Sequence, residues 1–271
     1  MHAFGALAEV TSMEIVSLGH ALEPKFWDHV NQDISHYYFF AFDWKYNRDD
    51  TEILLALDEE RIDGMMLVYD ERIVQLRGSN KAAEAFLARL TLDKIEIQSA
   101  KAHKQLIRKK YKPTLRQSHE MMLMVVHKGE EELHIRHPIV KLDAAQSEDI
   151  AAIMRHADPD YWGDVTGERI LEGMNKGANW SGIKVNDGVV SIGMLRLTEW
   201  AGLIGVVATL EEYRNRGYAT SIVAGLLKEL FKRRSLAMIY VLADNPPAIR
   251  AYQKVGFNPY KTYFFMRGER F

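Results

Sequence analysis

Residues 102–113 (Ala-His-Lys-Gln-Leu-Ile-Arg-Lys-Lys-Tyr-Lys-Pro) and residues 248–259 (Ala-Ile-Arg-Ala-Tyr-Gln-Lys-Val-Gly-Phe-Asn-Pro) align end to end. Ala102 falls opposite Ala248, Leu106 opposite Tyr252, Tyr111 opposite Phe257 and Pro113 opposite Pro259. Each stretch follows one strand-like apolar run and precedes another, so both read as strand–helix–strand. Self-similarity of this kind points to repeated units of one architecture. Further upstream, Arg77-Gly78-Ser79-Asn80-Lys81-Ala82 sits between a strand and a helix, as Arg214 to Thr220 does in the second half. The reading is two copies of one α/β fold; a chance match between two α/β halves is the competing one.

The 271 residues are enough for two domains. The charged run Lys128-Gly129-Glu130-Glu131-Glu132 reads as a solvated turn, and the boundary is expected between Lys128 and His137, giving domains 1–132 and 133–271. Lys and Arg total 35 against 37 Asp and Glu, which makes no general case for nucleic acid or an anionic membrane as partner. With no cysteine, thiolate metal sites and acyl-cysteine intermediates are excluded. No apolar run reaches the roughly 18–20 residues that span a bilayer. The opening Met1 to Ala8 lacks the basic start of a signal peptide, and a cytoplasmic location is expected.

Helices and strands alternate throughout. Helices are expected at Glu23–Ser35, Asn80–Leu90, Ala102–Lys110, Ser147–His156, Glu168–Met174, Tyr218–Arg233 and Pro247–Val255. Strands are expected at Thr51–Leu57, Ile62–Tyr69, Arg72–Leu76, Lys94–Gln98, Glu120–His127, Ile135–Leu142, Leu203–Leu210, Met238–Ala243 and Tyr260–Arg267. Asn186-Asp187-Gly188 marks a hairpin between Trp180–Val185 and Val189–Thr198. The aromatic run from Tyr37 to Trp44 is assigned to packing.

The chemistry concentrates where a strand ends and the longest helix begins, at Arg214-Asn215-Arg216-Gly217-Tyr218-Ala219-Thr220. The first turn of a helix has free backbone N–H groups and the positive end of a dipole, so a diphosphate fits there. Gly217 and Ala219 allow close approach, and Arg214 and Arg216 add positive charge against Glu211 and Glu212. Neither the Gly-Lys-Ser/Thr of a nucleotide-triphosphate loop nor Gly-x-Gly-x-x-Gly is present.

Arg-x-x-Gly-x-Ala in this position resembles the coenzyme A signature of the GNAT superfamily of N-acetyltransferases. Downstream, Asn245-Pro246-Pro247-Ala248 through Tyr252 to Gly256-Phe257 is similar to that family's Asn-x-x-Ala-x-x-x-Tyr-x-x-x-Gly-Phe segment. With the hairpin and helices before the two motifs, the resemblance covers the last half of the chain, from Ile139 to Arg267. The resemblance implies a mixed, mostly antiparallel sheet flanked by helices, in tandem as in glycine N-acyltransferase-like members, with a degenerate first copy and an intact second one. It implies acetyl-CoA as cosubstrate and no metal. Backbone of Val207, Ala208 and Thr209 would meet the pantetheine arm, amides from Asn215 through Thr220 the diphosphate, with Arg214 at the head of the motif, and Asn245 the pantetheine. Tyr252 would protonate the departing thiolate. Some members carry Glu five residues before the motif Asn; Tyr240 stands there instead. Glu199 is the first-choice general base, Asp158, Asp160 and Asp164 are others, and surface carboxylates with a water route to solvent are the competing reading.

His119, His127, His134 and His137 read as strand and turn histidines rather than metal ligands. The function expected is acetyl transfer to an unidentified amine in a ternary complex, by a monomer or homodimer. The alternatives are a non-catalytic acyl-CoA-binding module and an aminoacyl transferase using charged tRNA, which needs a basic RNA track.

Overall fold

The computed structural model describes residues 13–271, with the side chains of 115–117 outside the description; the apolar opening Met1 to Ala8 therefore lies outside the described residues. The elements run β1 (Glu14–Ser17), α1 (Glu23–Asn31), α2 (Tyr38–Tyr46), β2 (Thr51–Asp58), β3 (Arg61–Tyr69), β4 (Ile73–Gly78), α3 (Asn80–Arg89), β5 (Lys94–Ala100), α4 (Lys104–Lys110) and β6 (Tyr111–His127). The order then recurs as β7 (Val140–Leu142), α5 (Ser147–Ala157), α6 (Pro159–Trp162), α7 (Gly167–Asn175), β8 (Ala178–Val185), β9 (Gly188–Leu197), β10 (Gly202–Thr209), α8 (Tyr218–Leu230), β11 (Leu236–Leu242), α9 (Pro246–Gln253) and β12 (Asn258–Arg270). Apart from the short extra helix α6, the second series repeats the first.

The chain forms two compact units, but not at the boundary expected after residue 132. One unit holds the chain up to Glu120 together with Thr262–Phe271; the other is Met121–Lys261. In the first, the sheet order is β1-β2-β3-β4-β5, followed by the C-terminal part of β12, which pairs antiparallel with β5 from Tyr263↔Ala100 to Glu269↔Lys94. In the second it is β7-β8-β9-β10-β11, followed by the C-terminal part of β6, which pairs antiparallel with β11 from Leu242↔Met121 to Leu236↔His127. Each unit has one parallel step, β4/β5 and β10/β11. The two halves thus exchange their last strands. A boundary set by a polar turn misses this, because Lys128–Glu132 is a solvated turn that follows β6 inside the second unit.

Local chemistry accounts for most elements. Asn186 and Asp187 take left-handed φ of 49° and 65°, as a tight hairpin between β8 and β9 requires. In α8, Ile222, Val223, Leu226, Leu227 and Leu230 are buried and form much of the second unit's core. Gly193 and Gly202 let this helix press on the sheet: a Cβ at Gly193 would meet Ile222 Cγ2 at 2.3 Å, and one at Gly202 would meet Leu230 Cδ1 at 2.1 Å. The aromatic run after Tyr37 is the helix α2, with Tyr38, Phe40 and Trp44 buried. Of the strand expected at Ile135–Leu142 only Val140–Leu142 forms, because the residues before it lie along α8.

Candidate active site

The site is made where two parallel strands separate. β10 pairs with β11 only at Gly202↔Ala237, Leu203↔Met238 and Ile204↔Ile239. A register shift between Ile204 and Val207 then bends β10 while it stays on β9, through Val207↔Gly193, Ala208↔Ile192 and Thr209↔Ser191. Meanwhile β11 continues along β6. The carbonyl of Ala208 accepts from Ser191 Oγ at 3.2 Å on the β9 side. Strand alternation therefore turns the backbone of Val207 and Thr209 toward the opened side. An extended polar chain inserted there meets strand edge that β11 has left.

Beyond the strand end lies a cleft of about 670 Å³. Val207, Ala208, Thr209, Arg214, Asn215, Gly217, Tyr218, Ala219, Thr220, Asn245 and Tyr252 all line it. Asn215 and Gly217 have left-handed φ of 62° and 81°, which folds successive N–H groups into a concave turn. Gly217 is the N-cap of α8 and supplies no side chain, so the first-turn donors remain available to an anion. Arg214 Nε donates to the Thr209 carbonyl at 3.2 Å, tying loop to strand end. Arg216 does not line the cleft: its guanidinium donates to the Glu212 carbonyl at 3.0 Å and lies over the Tyr213 ring. Arg250 on α9 and Lys254, the C-cap four residues on, do line it. Both escaped the sequence reading, although their helical spacing opposite an anion-binding loop was the available signal.

α9 carries the remaining groups. Asn245 is its N-cap, accepting from Ala248 N–H at 3.2 Å through Oδ1, which leaves its amide NH₂ to donate elsewhere. Tyr252 is 6% exposed, and burial pushes its phenol up to about 12. No hydrogen bond to its hydroxyl is found among the described residues. It is a protonated, desolvated donor at the wall of a cleft whose other side is an anion-binding turn.

Residues 185–266 match a family described as FR47-like protein. A 58-residue stretch is 40% identical to a mycothiol acetyltransferase of Corynebacterium aurimucosum, taking in 21% of this chain and 19% of that protein, so the match spans about a fifth of that relative's length. A solved structure of a Drosophila protein superposes over 95% of this chain and 99% of its own, with TM-score 0.71 at 11% identity. A tandem GNAT protein from the clavulanic acid biosynthesis pathway does so over 95% and 98%, with TM-score 0.57 at 11% identity. The chain carries the GNAT fold. Within that fold the parted strands and the uncapped α8 N-terminus stand together in the second unit.

The first unit closes the corresponding place. There β4 stays paired with β5 from Ile73↔Glu96 to Leu76↔Ser99, two residues short of its end at Gly78. A single residue, Ser79, joins β4 to α3, and its Oγ caps the helix by accepting from Ala82 N–H at 3.1 Å while also bonding the Asp63 carboxylate. Arg77, 1% exposed, fills the space beyond the paired strands: Nη1 donates to the Gln98 carbonyl at 3.0 Å, and the guanidinium lies 4.3 Å from the Tyr263 ring centre. A GNAT fold with this local sequence offers no wedge and no free helix N-terminus.

Glu199, the first-choice base, does not come to the cleft. It is exposed in the turn between β9 and β10, at the opposite end of β10 from Thr209. Seven residue steps of strand separate Gly202 from Thr209, on the order of 23 Å. Asp158 is used as the N-cap of α6, and Asp160 and Asp164 are exposed. Tyr240 sits on β11 opposite Leu123. Among the described residues no cluster of His, Asp and Glu suits a metal ion, and no helix is long and apolar enough to cross a membrane.

Proposed function

We propose that this protein is an acyltransferase that moves the acetyl group of acetyl-CoA to an amine, with the cofactor in the second unit. The reading rests on the parting of β10 from β11 immediately before an uncapped helix N-terminus, since that combination suits a ligand with an amide-bearing arm and a diphosphate. Val207 and Thr209 hold the arm by strand-like hydrogen bonds, and the turn from Asn215 to Thr220 receives the diphosphate. Arg214, Arg250 and Lys254 supply positive charge that outweighs Glu211 and Glu212 at the cleft. Asn245 donates its free amide to the arm.

The acceptor nitrogen attacks the thioester carbonyl, a C–N bond forms and the C–S bond breaks. The departing sulfur takes the hydroxyl proton of Tyr252, and the proton lost by the amine leaves through water, with Tyr252 restored from solvent. Burial keeps Tyr252 protonated at neutral pH, so its hydroxyl is available as a proton donor, and because its anion is costly the proton must be replaced from solvent as the sulfur departs. The test is an amine panel assayed for CoA release with mass analysis of the products. An N-acetylated product formed only with acetyl-CoA supports the proposal, and failure of the full chain to bind acetyl-CoA overturns it.

A further inference from the structure

The segment between β6 and β7 runs along one stripe of α8. Arg136 N–H donates to Ser221 Oγ at 3.2 Å, and the Ile139 side chain packs where Gly225 has no Cβ. At the start of the helix, His137 Nε2 donates to the Arg216 carbonyl at 2.8 Å, with its ring 4.3 Å from that of Tyr218. Tyr218, Ser221 and Gly225 are three and four residues apart, so they share a helix face. At its other end the segment meets the end of α9: Glu132 N–H donates to the Val255 carbonyl at 3.3 Å. It therefore links the anion-binding turn to the helix that carries Tyr252.

We propose that His137 is a positioning residue of the cofactor site, holding the Arg216–Gly217 peptide so that Gly217 N–H faces the bound diphosphate. A trans peptide sets its C=O and N–H on opposite sides. Gly217 lines the cleft and His137 does not, so a carbonyl bonded to His137 points away from the cleft and the N–H points toward it. Without that bond, Gly217, whose φ of 81° is one that glycine reaches as readily as its mirror value, leaves the peptide free to turn its carbonyl toward the anion. The assignment rests on acetyl-CoA binding in the second unit.

The test is calorimetry on the full chain with CoA and with adenosine 3′-phosphate 5′-diphosphate, and ligand-observed NMR with pantetheine, which has no diphosphate. For His137→Leu we expect both diphosphate ligands to bind about five- to tenfold more weakly, the worth of one hydrogen bond, and pantetheine to bind within twofold of the wild type. His137→Gln, whose amide reaches the same carbonyl, returns CoA affinity to within about threefold. Unchanged CoA affinity in His137→Leu, an equal loss for pantetheine, or a Gln variant as weak as Leu overturns the assignment while leaving the cofactor reading intact. A wild-type chain that binds no CoA overturns both.

Discussion

Gly217 and Ser79 hold the same station in the two units, one residue before the helix that follows the fourth strand, and they treat that helix oppositely. Ser79 consumes its first-turn donors with its own hydroxyl and adds the Asp63 carboxylate beside them. Gly217 adds nothing. Equilibrium titration is expected to give one CoA per chain. Gly217→Ser imports the cap and forces a side chain onto φ of 81°. It should weaken CoA at least tenfold and cost about 1–2 kcal/mol in urea unfolding.

Tyr252→Phe keeps the ring packed and removes a hydroxyl at the cleft wall for which no bond is found among the described residues. Unfolding free energy at pH 7 should therefore hardly change, while kcat falls roughly 10²–10⁴-fold with little effect on the acetyl-CoA KM. An acyl donor with a more acidic thiol should restore part of the rate. Full activity in a folded variant whose chemical step limits the rate removes Tyr252 from the mechanism.

The same tyrosine sets an alkaline signature. Its folded pKa of about 12 lies above the ordinary 10.0, so folding favours the protonated form. The stability it contributes is complete below pH 10 and is lost as pH rises toward 12, about 3 kcal/mol in all. Wild type should lose that much more stability than Tyr252→Phe across this range. Any fall of kcat near pH 10 that the Phe variant shares belongs to another group.

Asn245 combines a cap with a free amide. Asn245→Asp retains the capping oxygen and should keep wild-type stability, yet lose CoA affinity because the donor is replaced by a charge. Asn245→Ala should lose affinity and also about 1 kcal/mol of stability. Parallel calorimetry and denaturation separate the two roles.

Arg250 and Lys254 act through charge at the exposed side of the cleft. Replacing both by Ala should weaken CoA several-fold at low ionic strength and much less at 1 M salt, where the screening length is about 3 Å. A loss that is independent of salt would mean that they act by packing.

The parts of the site legible in the sequence are those whose geometry is local. A helix start needs Gly217 next to Arg216 and Tyr218, and an N-cap needs Asn245 three residues before Ala248, so spacing alone carries them. Arg250 and Lys254 follow the same logic and were readable from α9. Glu199 lies near the end of a strand in sequence, but that proximity does not tell which end of β10 faces the cleft. His137 has no motif; its only sequence trace is Gly225, a gap in an apolar helix that Ile139 fills. The helix α2 hid because its apolar residues occupy every face. The exchanged strands were hidden for a different reason: β6 and β12 each follow an equivalent strand–helix pair, and nothing local to either says which of the two sheets it completes.

That exchange fixes an order of events during synthesis. Ser99 pairs with Phe264 in the first unit, so the sheet begun earliest on the ribosome is the last to be finished. Until β12 emerges, β5 has an open margin, and Ile95 and Ile97, buried in the finished fold, lack part of their cover. Such a margin invites pairing with another nascent chain.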